Sequence, residues 1–144
     1  MPCHLHSSLW LHIVSHSYVH FPQTFTLGHE RMTDKETPFA CDMTAIAPEQ
    51  RGAHVATIEK LFRLVQSKRE LPDGYAFEFP NQSDVLLTAA EFISLERLCC
   101  PFFGFRLEIE REGGSIWLSL TGRAGVKPFI IAEIGDHLPG SISR

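Results

Sequence analysis

Residues 105–120 read Phe105-Arg106-Leu107-Glu108-Ile109-Glu110-Arg111-Glu112-Gly113-Gly114-Ser115-Ile116-Trp117-Leu118-Ser119-Leu120. Apolar and polar side chains alternate from Phe105 to Glu110 and again from Ile116 to Leu120. Successive residues of a strand point to opposite faces, so Phe105, Leu107 and Ile109 share one face of a first strand, and Ile116, Leu118 and Leu120 one face of a second. Glu112-Gly113-Gly114-Ser115 lies between them, and glycine tolerates the positive φ that tight turns require. The stretch predicts an antiparallel hairpin with one buried face. Alternation sends Trp117 to the other face, either as an ordinary exposed aromatic or as a homodimer contact.

Upstream, Tyr75-Ala76-Phe77-Glu78-Phe79 predicts a third strand, closed by Pro80 and Asn81. Ser83 or Asp84 can cap a helix from about Val85 to Cys99, rich in Ala, Leu and Glu. Pro101 disfavours helical geometry at Cys100, so the helix ends there or one residue earlier. Further upstream, Pro48 to about Lys68 predicts a helix with Pro48 in its first turn and Glu49 at the positive end of its dipole. Val55, Ile58, Leu61, Phe62 and Val65 recur at three- and four-residue spacings, and Leu71-Pro72-Asp73-Gly74 reads as a turn. Downstream, a last helix covers Val126 to Ile134 with Pro128 in its first turn. The order is α-β-α-β-β-α: an α+β two-layer sandwich, with a three-stranded, mostly antiparallel sheet and helices on one face.

The chain has 144 residues, enough for one domain, and its 44% hydrophobic content supports a buried core. A formal charge of -4 with no basic stripe argues against nucleic acid, and no apolar run is long enough to span a membrane. Six of the eight histidines fall before residue 32, in a segment without periodicity. Residues 1–37 are expected to be a disordered or non-native extension, residues 38–137 the single domain, and residues 138–144 a flexible tail. Met32-Thr33-Asp34-Lys35 reads like a natural start.

The chemistry-bearing feature is Glu96-Arg97-Leu98-Cys99-Cys100-Pro101. On a helix Glu96 shares a surface region with residues three and four further on, here Cys99 and Cys100. Adjacent thiols where a helix unwinds can reach one soft ion: zinc, copper(I), arsenic(III) or mercury(II). The negative end of the helix dipole raises a thiol pKa, which disfavours a redox nucleophile more than a metal ligand. Cys41 is the candidate third thiolate if its segment folds over the end of this helix, with Glu96 and His54 in support. The alternative reading for Cys41 and Cys99 is core packing, and for His54 an ordinary helical histidine. No CxxC pair, nucleotide loop or Ser-His-Asp pattern is present, so no nucleotide or organic cofactor is indicated. Sparse, adjacent cysteines point to a reducing cytoplasm.

Ala47-Pro48-Glu49-Gln50-Arg51 with His54, Leu71-Pro72-Asp73-Gly74-Tyr75-Ala76-Phe77, Leu95 to Phe103, Trp117 to Gly122 and Gly125-Val126-Lys127 together resemble a group of small bacterial proteins. Glu-Arg-x-Cys-Cys-Pro-Phe is the most specific of these segments. Similar segments occur alone or attached to regulators of the mercury-responsive type. The resemblance implies soft-metal handling and no established enzyme activity. Three functions follow as expectations: a soft metal or metalloid binder, a thiol redox or detoxification enzyme, and a dimerising module without chemistry.

Overall fold

The computed structural model describes residues 39–140 and 142. The N-terminal extension expected over residues 1–37 lies outside these residues, as does its boundary with the domain. The described residues form α1 (Pro48–Phe62), β1 (Ser67–Leu71), β2 (Gly74–Phe79), α2 (Ser83–Cys99), β3 (Gly104–Ile109), β4 (Ile116–Thr121) and α3 (Val126–Ile134), with short 3-10 turns between some of them.

The sheet is antiparallel throughout, in the order β1-β2-β4-β3. Four strands replace the expected three. The addition is β1, which runs from the expected end of the first helix, at about Lys68, to the first residue of the expected turn, Leu71. The helix stops at Phe62 instead of continuing to Lys68, and the Gln66 N–H is drawn to the carbonyl of Glu78 at 2.8 Å. Leu71 pairs with Gly74 across the two-residue Pro72-Asp73 turn. Ser67-Lys68-Arg69-Glu70-Leu71 carries no apolar alternation because it is an edge strand with little to bury, and its charges discourage further strand pairing.

The β3–β4 hairpin forms as read, with Phe105↔Leu120, Leu107↔Leu118 and Ile109↔Ile116 as partners. Its turn uses Glu112 at φ 56° and Gly113 at φ 78°. Phe77 and Phe79 of β2, with Ile116, Leu118 and Leu120 of β4, are fully or almost fully buried. Against them pack Leu61 and Phe62 of α1, Val85, Ala89 and Phe92 of α2, and Val126, Ile130 and Ile134 of α3. The mixed α+β class with an antiparallel sheet is therefore the one the alternation indicated. Leu138 is also buried in this core and Ile142 packs on it, although the sequence assigned both to the tail.

On the opposite sheet face Trp117 has partners in its own chain. The Arg69 guanidinium stacks 4.2 Å from its ring, and its Nε1 donates to Glu110 Oε1 at 3.1 Å. These contacts account for an aromatic on this face within one chain. No helix among the described residues is long and apolar enough to cross a membrane.

β2 and β3 run in the same direction but are separated by β4, and α2 carries the chain between them. Only Cys100 to Phe103 lie between the end of α2 and the start of β3. This short connection fixes the C-terminal turn of α2 against the sheet, where the cysteines lie.

Candidate functional site

Glu96, Cys99 and Cys100 occupy the last turn of α2 and its cap. The Cys100 N–H still donates to the Glu96 carbonyl at 2.8 Å, but its backbone has left the helix at φ -122° and ψ 68°, as Pro101 requires. Departure from helical geometry is what allows the adjacent side chains to converge. Their sulfurs lie 3.7 Å apart, and Cys99 and Cys100 are 1% and 0% exposed.

The segment before α1 folds over this helix end. The Asp42 N–H donates to the Cys99 carbonyl at 2.8 Å, satisfying one of the acceptors a helix C-terminus leaves open. Asp42 also caps the 3-10 turn Met43–Ala45 by accepting from the Thr44 N–H. Ile46 follows and packs with Leu95, Cys99 and Cys100 in a small apolar cluster separate from the main core. Arg51 Nε donates to the Ile46 carbonyl at 3.0 Å, and Phe39 sets its ring edge-on to Phe102.

This placement brings Cys41 to the pair, as the sequence required for a shared site. It also corrects one expectation: Cys41 and Cys100 are joined as a disulfide, with Cα atoms 4.9 Å apart, rather than standing as two thiols. Among the described residues Cys99 is the free cysteine. The ligand atoms of Cys41, Glu96, Cys99 and Cys100 all lie within 4.8 Å of one another.

Glu96 is 6% exposed and sits between the sulfurs and α1. The Cys99 thiol donates to its Oε2 at 3.6 Å, and His54 Nε2 meets the same oxygen at 2.8 Å. His54 is wholly buried and stacked on Phe92, and its Nδ1 has no hydrogen-bond partner among the described residues. His54 thus falls outside the set of close ligand atoms and instead holds the carboxylate. Leu61, Phe62 and Val65 of the predicted stripe are buried and Ile58 packs on the core, but its first member departs from the reading. His54 lies inside, while Val55 is 47% exposed.

Burial, and then the neighbouring Glu96 carboxylate, push the Cys99 thiol up to about 12. The sequence reading also anticipated a raised value, but ascribed it to the helix dipole. A thiol with that pKa is ionised to only about one part in 10⁵ at neutral pH, so it is a poor spontaneous nucleophile. A soft ion displaces the proton itself and does not depend on prior ionisation.

Beside the sulfurs lies a cavity of about 210 Å³ onto which Cys41, Cys99 and Glu96 open. Val55, Ile58, Phe92 and Ile134 form its apolar wall, and Glu133 and His137 supply polar groups from the α3 side. Sequence reasoning missed these last two. They are more than thirty residues from the cysteine pair and carry no local motif. Comparison with protein-family models, curated proteins and solved structures found no match for the chain.

The donor chemistry fits a thiophilic ion. Two thiolates bound tetrahedrally to one ion at about 2.3 Å stand roughly 3.8 Å apart, close to the observed separation of the Cys99 and Cys100 sulfurs. The Cys41–Cys100 bond must open before all three sulfurs can act as ligands. Two electrons and two protons from a thiol reductant convert it to two thiols.

Proposed function

We propose that this protein, in its reduced state, binds a soft metal or metalloid ion through Cys99, Cys100 and Cys41, with Glu96 as a neighbouring oxygen donor positioned by His54. The observation that carries the reading is the convergence of three sulfurs and one carboxylate within 4.8 Å. Softness favours zinc, copper(I), arsenic(III) or mercury(II) over hard cations. The resemblance to proteins associated with mercury-responsive regulators supports the same class of ligand. A reducing cytoplasm keeps the sulfurs available, and the Cys41–Cys100 disulfide is the oxidised form of the site.

Native mass spectrometry of the reduced protein with zinc, copper(I), arsenite and mercury(II) tests this. One ion per chain is expected for at least one of them, with uptake lost in the Cys99→Ser/Cys100→Ser double variant. Equal uptake by that variant would remove the proposal.

One observation favours a second reading, thiol–disulfide exchange: the free Cys99 sulfur lies 3.7 Å from a sulfur of an existing disulfide. Attack by the Cys99 thiolate on Cys100 expels Cys41 as a thiolate, which then takes up the proton that Cys99 lost. The raised Cys99 pKa opposes this route at neutral pH. Mapping of disulfides after incubation without reductant decides it, because exchange produces a Cys99–Cys100 bond and ligation alone does not.

A further inference from the structure

The shape of the site narrows its ligand further. Cys41 and Cys99 line the cavity, whereas Cys100 does not. Met43, Val55, Ile58, Phe92 and Ile134 give the cavity an apolar part beside its polar residues Glu96, Glu133 and His137. An apolar cavity of about 150 Å³ lined by such side chains accepts benzene. The 210 Å³ here is sufficient for one small aryl or alkyl group.

We infer that the preferred ligand is a trivalent arsenical carrying one small organic group, bonded to the sulfurs of Cys41 and Cys99 with that group in the cavity. The inference rests on the soft-ligand reading above and specifies the ligand. A thiol reductant first opens the Cys41–Cys100 disulfide, giving two thiols as the reductant becomes a disulfide. The arsenical then enters as R–As(OH)₂. Two As–O bonds break and two As–S bonds form, and each thiol proton leaves with a hydroxide as water. Arsenic stays trivalent, the complex is neutral, and Cys100 remains a thiol behind it.

The test titrates the reduced full chain with phenylarsine oxide and with arsenite, in the wild type and in Val55→Trp. Val55 is 47% exposed on α1, so the larger side chain can cover the cavity without entering the core. Wild type is expected to bind phenylarsine oxide at least tenfold tighter than arsenite. Val55→Trp is expected to bring that ratio down toward unity. A ratio unchanged by Val55→Trp would place the phenyl group outside the cavity and overturn the inference while leaving soft-ligand binding intact. Failure of both arsenicals to bind while zinc, copper(I) or mercury(II) binds would overturn the inference alone, and failure of all of these, or binding equal to that of Cys99→Ser, would remove the underlying reading. Fluorine NMR of bound 4-fluorophenylarsine oxide gives a measurement on wild type alone. A single resonance shielded from a soluble paramagnetic quencher is expected, and full quenching contradicts a buried ring.

Discussion

At Cys99, burial and the Glu96 carboxylate act in the same direction, both favouring the thiol over the thiolate. The folded-state value of about 12 exceeds the ordinary 9.0, so the unfolded chain releases this proton first as pH rises. The associated stability is complete below the unfolded value and is lost progressively as pH climbs toward the folded one. Urea midpoints should therefore fall more steeply above about pH 9, on the way to about pH 12, in wild type than in Cys99→Ala. Parallel curves would show that the thiol is not held in this way. His54 and Glu96 form the other pair at this scale. Removing one partner leaves a buried polar group unsatisfied, whereas removing both leaves an apolar contact. His54→Leu should cost about 3 kcal/mol, and His54→Leu/Glu96→Leu clearly less than the sum of the single changes, by equilibrium unfolding. The sequence showed Glu96 beside the cysteines through helical spacing. It could not show that His54 is buried, because a histidine without its partner reads as polar, and that partner is 42 residues away.

Among the elements, those whose faces differ were legible and the edge was not. The β3–β4 hairpin and the end of α2 follow from alternation and from Pro101, both local signals. β1 follows from neither: its charged residues have no apolar period, and no Gly or Pro separates it from α1. What defines it is its pairing with β2 through the Pro72-Asp73 turn. Gly74, at the end of that turn, approaches β4 so closely that a Cβ there would lie 1.9 Å from the Leu120 carbonyl oxygen. Only backbone movement can relieve that contact. Gly74→Ala should destabilise the fold by about 2–3 kcal/mol in urea unfolding, and a change below about 0.5 kcal/mol would show that the hairpin shifts freely.

For the molecule as a whole, the Cys41–Cys100 disulfide closes a loop of 59 residues that contains α1, β1, β2 and α2. A cross-link over that span restricts the unfolded chain by about 4 kcal/mol in the chain-entropy treatment. Reduction should lower the unfolding midpoint accordingly, and arsenite should restore part of the loss in wild type but none in Cys99→Ser/Cys100→Ser, because a ligand bound only to the folded chain stabilises it. The α+β class was readable from patterning, since β2, β3 and β4 each present one apolar face. The return of Cys41 to the helix end was readable only as a condition. It depends on the Asp42–Cys99 backbone bond and the packing of Ile46, which join residues far apart in sequence.

The central claim is that the reduced site holds a soft ion through its sulfurs. X-ray absorption at the arsenic edge tests it most directly, on reduced protein loaded with one equivalent of arsenite. The account predicts that the oxygen neighbours of free arsenite are replaced by the sulfurs of Cys41, Cys99 and Cys100, and that this sulfur shell shrinks in Cys99→Ser. An oxygen shell that persists in wild type, or a sulfur shell unchanged in Cys99→Ser, would contradict it.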